Sequence, residues 1–139
     1  MKIKRITAIL LIGLLFVLTG CASSTATSPP KTSPIPTTSA ILWSEAINHI
    51  GERTTVYGPV VDTRWASGSR GQPTFLNIGK PYPDPNRFTV VIWIQNRAKF
   101  PQAPEVYYKG RTIYVYGLIE DYKGSAQIVV TSPSQIQVK

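Results

Sequence analysis

Much of the chemistry that enzymes commonly draw on is scarce in this chain. Its 139 residues include one cysteine, one histidine and seven carboxylates, against fifteen lysines and arginines. A single cysteine cannot close an internal disulfide, so no staple framework holds the fold. His49 is the only histidine and has no cysteine or carboxylate cluster beside it, which leaves no metal-ligand set and no Ser/His/Asp arrangement. The carboxylates are Glu45, Glu52, Asp62, Asp84, Glu105, Glu120 and Asp121, none of them in an Asp-x-Asp cluster, and the adjacent Glu120 and Asp121 at a strand end point apart. The expectation is a protein that is not an enzyme and holds no metal or cofactor. Long apolar runs are also missing: Ile6 to Val17 is about a dozen residues, short of the roughly 20 that span a bilayer.

That run follows a basic start, with Lys2, Lys4 and Arg5, and together they have the form of a secretory signal over residues 1–20. Leu18-Thr19-Gly20-Cys21 then resembles the lipobox of bacterial lipoproteins. The resemblance implies cleavage before Cys21 and a diacylglyceryl group on its sulfur. It also implies a lipid-anchored, extracytoplasmic location on the cell membrane or the outer membrane. Ala22 in place of an Asp favours the outer membrane if the cell is Gram-negative. A lipidated Cys21 leaves no thiol for a nucleophile or a metal ligand. Residues 21–40 read as a disordered tether: 14 of the 19 residues after Cys21 are Ser, Thr or Pro, too polar to offset the entropy of ordering. Fully extended it would reach on the order of 60 Å.

Residues 41–139 are then one domain, large enough for its own core. Its 11 basic and 7 acidic side chains leave a net charge of +4, a moderate basicity. Trp43, Ala46, Ile47 and Ile50 fall on one face of a short helix, with Ser44 as the expected cap near its start and Gly51 as its stop. The strands expected next are 53–63, bent at Gly58 and Pro59, then 74–79, 88–94 and 110–119. The 120–125 loop leads to a further strand, and Ile136 and Val138 mark a short closing one. Phe75 and Asn77 share one face of the second strand, and Leu76 and Ile78 the other. Gly51 to Val60 and Gly110 to Ile119 both read Gly, four residues, Val-Tyr-Gly, one residue, an aliphatic. Prolines restrict any helix in 95–109 to a turn or two.

The Gly-x4-Val-Tyr-Gly start, Phe75-Leu76-Asn77, Tyr108-Lys109-Gly110 and Tyr122-Lys123-Gly124 with Gln127-Ile128 resemble the bacterial OB-fold nucleic-acid-binding domains. The resemblance implies an all-β fold, a small five-stranded Greek-key barrel with a short N-terminal helix. It places a binding site on Arg64, Trp65 and Arg70 of the first long loop, Phe75 and Asn77 of strand two, Trp93 of strand three, and Tyr122 and Lys123 of the hairpin loop. Aromatic faces there would stack bases while the cations track phosphates. The expected function is weak binding of single-stranded nucleic acid or another anionic oligomer. A protein-interaction or envelope-assembly module, with an envelope protein as partner, is the alternative. Secreted thermonucleases also use an OB-type barrel, but their acidic metal-ligand motif has no match in this chain.

Overall fold

A computed structural model describes residues 34–37 and 39–139. The signal segment, Cys21 and most of the tether lie outside the described residues. The fold is mostly β. Its strands are β1 (Ile41–Leu42), β2 (Arg53–Trp65), β3 (Thr74–Ile78), β4 (Phe88–Ile92), β5 (Thr112–Tyr122), β6 (Ser125–Val129) and β7 (Ile136–Val138). They run in the order β1-β2-β3-β4-β6-β5-β7, and β2 also pairs with β5, so the five longer strands form a closed ring of pairings. All ring pairings are antiparallel except β4 with β6.

Alternation of side chains supplies the core. Val56 and Val60 of β2, Leu76 and Ile78 of β3, and Ile113, Val115 and Ile119 of β5 are buried and point inward. β4 is buried along its whole length and has a strand on either side, as apolar residues on both its faces require. The two Val-Tyr-Gly segments meet: Val56 pairs with Val115 and Tyr57 with Tyr114, their rings stacked with centroids 5.6 Å apart. The shared motif is thus one antiparallel pairing. Its glycines make room for neighbours, since a Cβ on Gly58 would lie 2.5 Å from Trp43 and one on Gly117 would lie 2.5 Å from Ile128.

The segment Trp43–His49 is a 3₁₀ helix, not an α-helix. Three residues per turn put Trp43, Ala46 and His49 on one face, so Ala46 is fully buried while Ile47 is 46% exposed and Ile50 40%. The expected stripe through Ile47 and Ile50 is corrected accordingly. Its N-cap is Leu42, with no side-chain cap, so Ser44 does not serve as one. The imidazole of His49 instead bonds the carboxylate of Glu52 at 2.9 Å.

Three strand ends also differ from the expectation. β2 continues to Trp65, which pairs with Thr74, so the first long loop is 66–73. β4 stops at Ile92, and Trp93 caps the four-residue helix α1 (Ile94–Arg97). β5 runs on to Tyr122, which pairs with Ser125, so the expected six-residue loop is a two-residue turn. Lys123 and Gly124 both have positive φ, 53° and 83°, the combination of the type I′ turns that match strand twist. The prolines of 95–109 restrict helix there to α1 and α2 (Pro104–Tyr107). Among the described residues no helix is long and apolar enough to cross a membrane.

Candidate binding cleft

The outer face of the sheet owes its chemistry to a bulge. Val60 pairs with Ile78, but the next pair is Asp62 with Asn77, so Val61 is an extra residue in β2. Strand alternation would send Asp62 and Arg64 inward with Val60; the bulge turns both to the outer face. Arg64 therefore stands opposite Phe75 on that face, whereas its neighbour Trp65 belongs to the other side.

Register then aligns a polar row across five strands. Asp62 pairs with Asn77, Asn77 with Thr89, Thr89 with Gln127 and Gln127 with Glu120. The Asn77 amide donates to Asp62 Oδ2 at 2.8 Å, and the Thr89 hydroxyl donates to Asn77 Oδ1 at 3.1 Å. At the far end Gln127 Nε2 donates to Glu120 Oε2 at 3.4 Å. Asp62 Oδ2 also accepts from the backbone amide of Tyr82 at 3.3 Å, which ties the 80–87 turn to the row. The turn is fixed at its other end by Ser125, whose hydroxyl donates to Pro85 O at 2.8 Å.

Turn and sheet together enclose a cleft of about 760 Å³. Phe75, Asn77, Thr89 and Gln127 form its floor, and Arg64, Tyr82, Arg87, Tyr122 and Lys123 its walls. Two wall aromatics carry a cation: Arg87 lies 5.2 Å from the Tyr82 ring centre and Lys123 5.5 Å from that of Tyr122. Both rings remain open to solvent, Tyr82 at 67% and Tyr122 at 54%. Arg87 is held by the carbonyl of Asp84, to which its Nη1 donates at 2.7 Å. The Asp84 carboxyl is held below the usual carboxylate value, first by the Asn86 backbone amide and then by Lys80. Among the described residues no group of His, Cys, Asp and Glu is placed to hold a metal ion.

Of the expected site residues, Arg64, Phe75, Asn77, Tyr122 and Lys123 come together in this cleft. Trp65, Arg70 and Trp93 do not line it. Trp65 lies against Arg97 in a separate, shallower depression of about 410 Å³ with Ile94, Phe100 and Pro101. Arg70 is exposed in the 66–73 loop. Trp93 covers that loop, so close to Gly71 that a Cβ there would sit 3.0 Å from its ring. Tyr82, Arg87, Asp62, Thr89 and Gln127 are cleft residues that were not anticipated. The signal that singled out Tyr122, a large aromatic in a polar, turn-rich loop, applies equally to Tyr82.

No protein-family model matches the sequence, and no curated protein matches it. Among solved structures the chain is similar to an aspartyl-tRNA synthetase of Leishmania major, at 10% identity and a TM-score of 0.46, over 83% of this chain and 22% of that one. It is similar to an asparaginyl-tRNA synthetase of Entamoeba histolytica at 16% identity and a TM-score of 0.47, over 71% of this chain and 23% of that one. It is also similar to an OBody in complex with hen egg-white lysozyme, at 18% identity and a TM-score of 0.43, over 70% of this chain and 90% of that one.

Proposed function

We propose that β2 to β6 form an OB-type barrel whose outer cleft binds a single-stranded nucleic acid or a similar anionic oligomer. The observation that carries this reading is the pairing of aromatic faces with cations along one groove: Tyr82 with Arg87, Tyr122 with Lys123, and Phe75 opposite Arg64. Planar groups of a ligand stack on the rings, and its phosphates follow the cations along the rim. Three cations and a domain charge of +4 support weak, strongly salt-dependent affinity. The lipobox-like Leu18-Thr19-Gly20-Cys21 supports display of this module outside the cytoplasm on a lipid anchor. Fluorescence titration of the purified chain with labelled twelve-nucleotide DNA, repeated over a range of salt, tests the reading. Binding that weakens steadily with salt is expected; no binding at near-millimolar protein and low salt defeats it.

A further inference from the structure

The floor of the cleft has a hydrogen-bonding polarity that its hydrogen bonds dictate. Asp62 and Glu120 terminate the row, and a carboxylate only accepts. Each therefore draws the NH₂ of the neighbouring amide, Asn77 toward Asp62 and Gln127 toward Glu120. Both amide oxygens are thereby turned away from the carboxylates. Thr89 lies between Asn77 and Gln127 in register, and its single hydroxyl proton goes to Asn77 Oδ1. Among the described residues, no protein donor is bonded to Gln127 Oε1, Asp62 Oδ1 or Glu120 Oε1. The row thus offers a ligand these three acceptor oxygens, against one remaining N–H on each amide, of which that of Asn77 is buried with its side chain.

We infer that the acceptors of this row, Asp62 and Gln127 in the cleft lining and Glu120 beside Gln127 just beyond it, make the cleft select bases carrying an exocyclic amino group over thymine and uracil. This rests on the oligonucleotide reading of the cleft. The amino groups of cytosine and adenine stand at the edge of the base and carry two hydrogens, so they approach an acceptor unobstructed. The lone N–H of uracil is flanked by two carbonyl oxygens, which meet the same carboxylates and amide oxygens unfavourably. Phosphates are excluded from the row by Asp62 and Glu120 and are left to Arg64, Arg87 and Lys123 at the rim. The row crosses four strand spacings of about 4.8 Å, roughly 19 Å, too wide for one base to touch both carboxylates. Bases at separate positions along the strand are thus read.

The test compares labelled twelve-nucleotide deoxycytidine and deoxyuridine homopolymers, equal in ring size and in charge, by fluorescence anisotropy on the full chain at one salt concentration. Deoxycytidine is expected to bind at least about fivefold tighter. In an Asp62→Asn, Glu120→Gln double variant, whose amides present donors as well as acceptors, that ratio falls toward one while both oligomers still bind. Circular dichroism checks that the variant is folded, and the wild-type ratio stands by itself if it is not. Equal or tighter deoxyuridine binding overturns the base preference and leaves oligomer binding intact. Failure of both oligomers to bind overturns the preference together with the function it rests on.

Discussion

Arg97 lies over the ring of Trp65, its guanidinium carbon 4.2 Å from the ring centre, where the end of β2 meets α1. The same guanidinium bonds both oxygens of Glu105 and the hydroxyl of Thr74. Trp65 is thereby part of a clamp that joins β2, β3 and both short helices, which gives a loop-like aromatic a structural task.

Glu105 carries the pH dependence of this clamp. The hydrogen bond from Arg97 lowers its pKa from the ordinary 4.5, so folding favours the charged form. Its contribution is complete above about pH 4.5 and is lost as pH falls through the lowered folded value. Glu105→Gln is expected to cost about 1–3 kcal/mol at pH 7. Urea unfolding at pH 7 and at successively lower pH should show the gap to wild type closing on acidification.

Tyr108 gives a second titration. Burial, followed by the neighbouring Tyr107, raises its phenol to about 12. Folding favours the neutral phenol, so its contribution is full below the ordinary value of 10 and is lost as pH rises toward 12. Spectrophotometric titration should show one late tyrosine that is absent in Tyr108→Phe.

Trp43 occupies space left by Gly58 and Gly79. Gly79 also has φ of +75°, so Gly79→Ala meets both the indole and backbone strain. A loss of about 2–4 kcal/mol is expected in urea unfolding, larger than for Gly68→Ala, where the added methyl meets open space.

Within the cleft, Tyr122→Ala and Phe75→Ala should each weaken oligonucleotide binding by about 1–3 kcal/mol. Lys123→Gly keeps the positive φ of the turn and should lower the salt slope by about 0.7. Trp93→Phe and Arg70→Ala, at residues that do not line the cleft, should leave affinity within about twofold, the exposed charge of Arg70 being screened by salt. Anisotropy titrations of the five variants separate the two groups.

The strand cores were legible because alternation needs only local sequence: Leu76 and Ile78 against Phe75 and Asn77, or Ile113 and Val115 against Tyr114. Burial of the short helix was not, since Trp43, Ala46, Ile47 and Ile50 satisfy the α period while the chain adopts the 3₁₀ one. Arg64 and Trp65 show a second limit. Read as loop neighbours they form one candidate patch; as consecutive strand residues they face opposite sides, and a bulge at Val61 decides which. The polar row lay beyond reach for a related reason. Asp62, Asn77, Thr89, Gln127 and Glu120 are scattered along the chain, and only strand register brings them into line.

The pairing of β2 with β5 joins residues as far apart as Arg53 and Leu118. Contacts of that span form late, because the intervening chain must first surrender its freedom. The β2-β3-β4 meander, joined through 66–73 and 79–87, spans far less chain and can assemble earlier, but the lower half of β2 waits for β5. As the polypeptide emerges from its amino end, β2, β3 and β4 are available first, and the ring of pairings stays open until β5 and β6 have followed them.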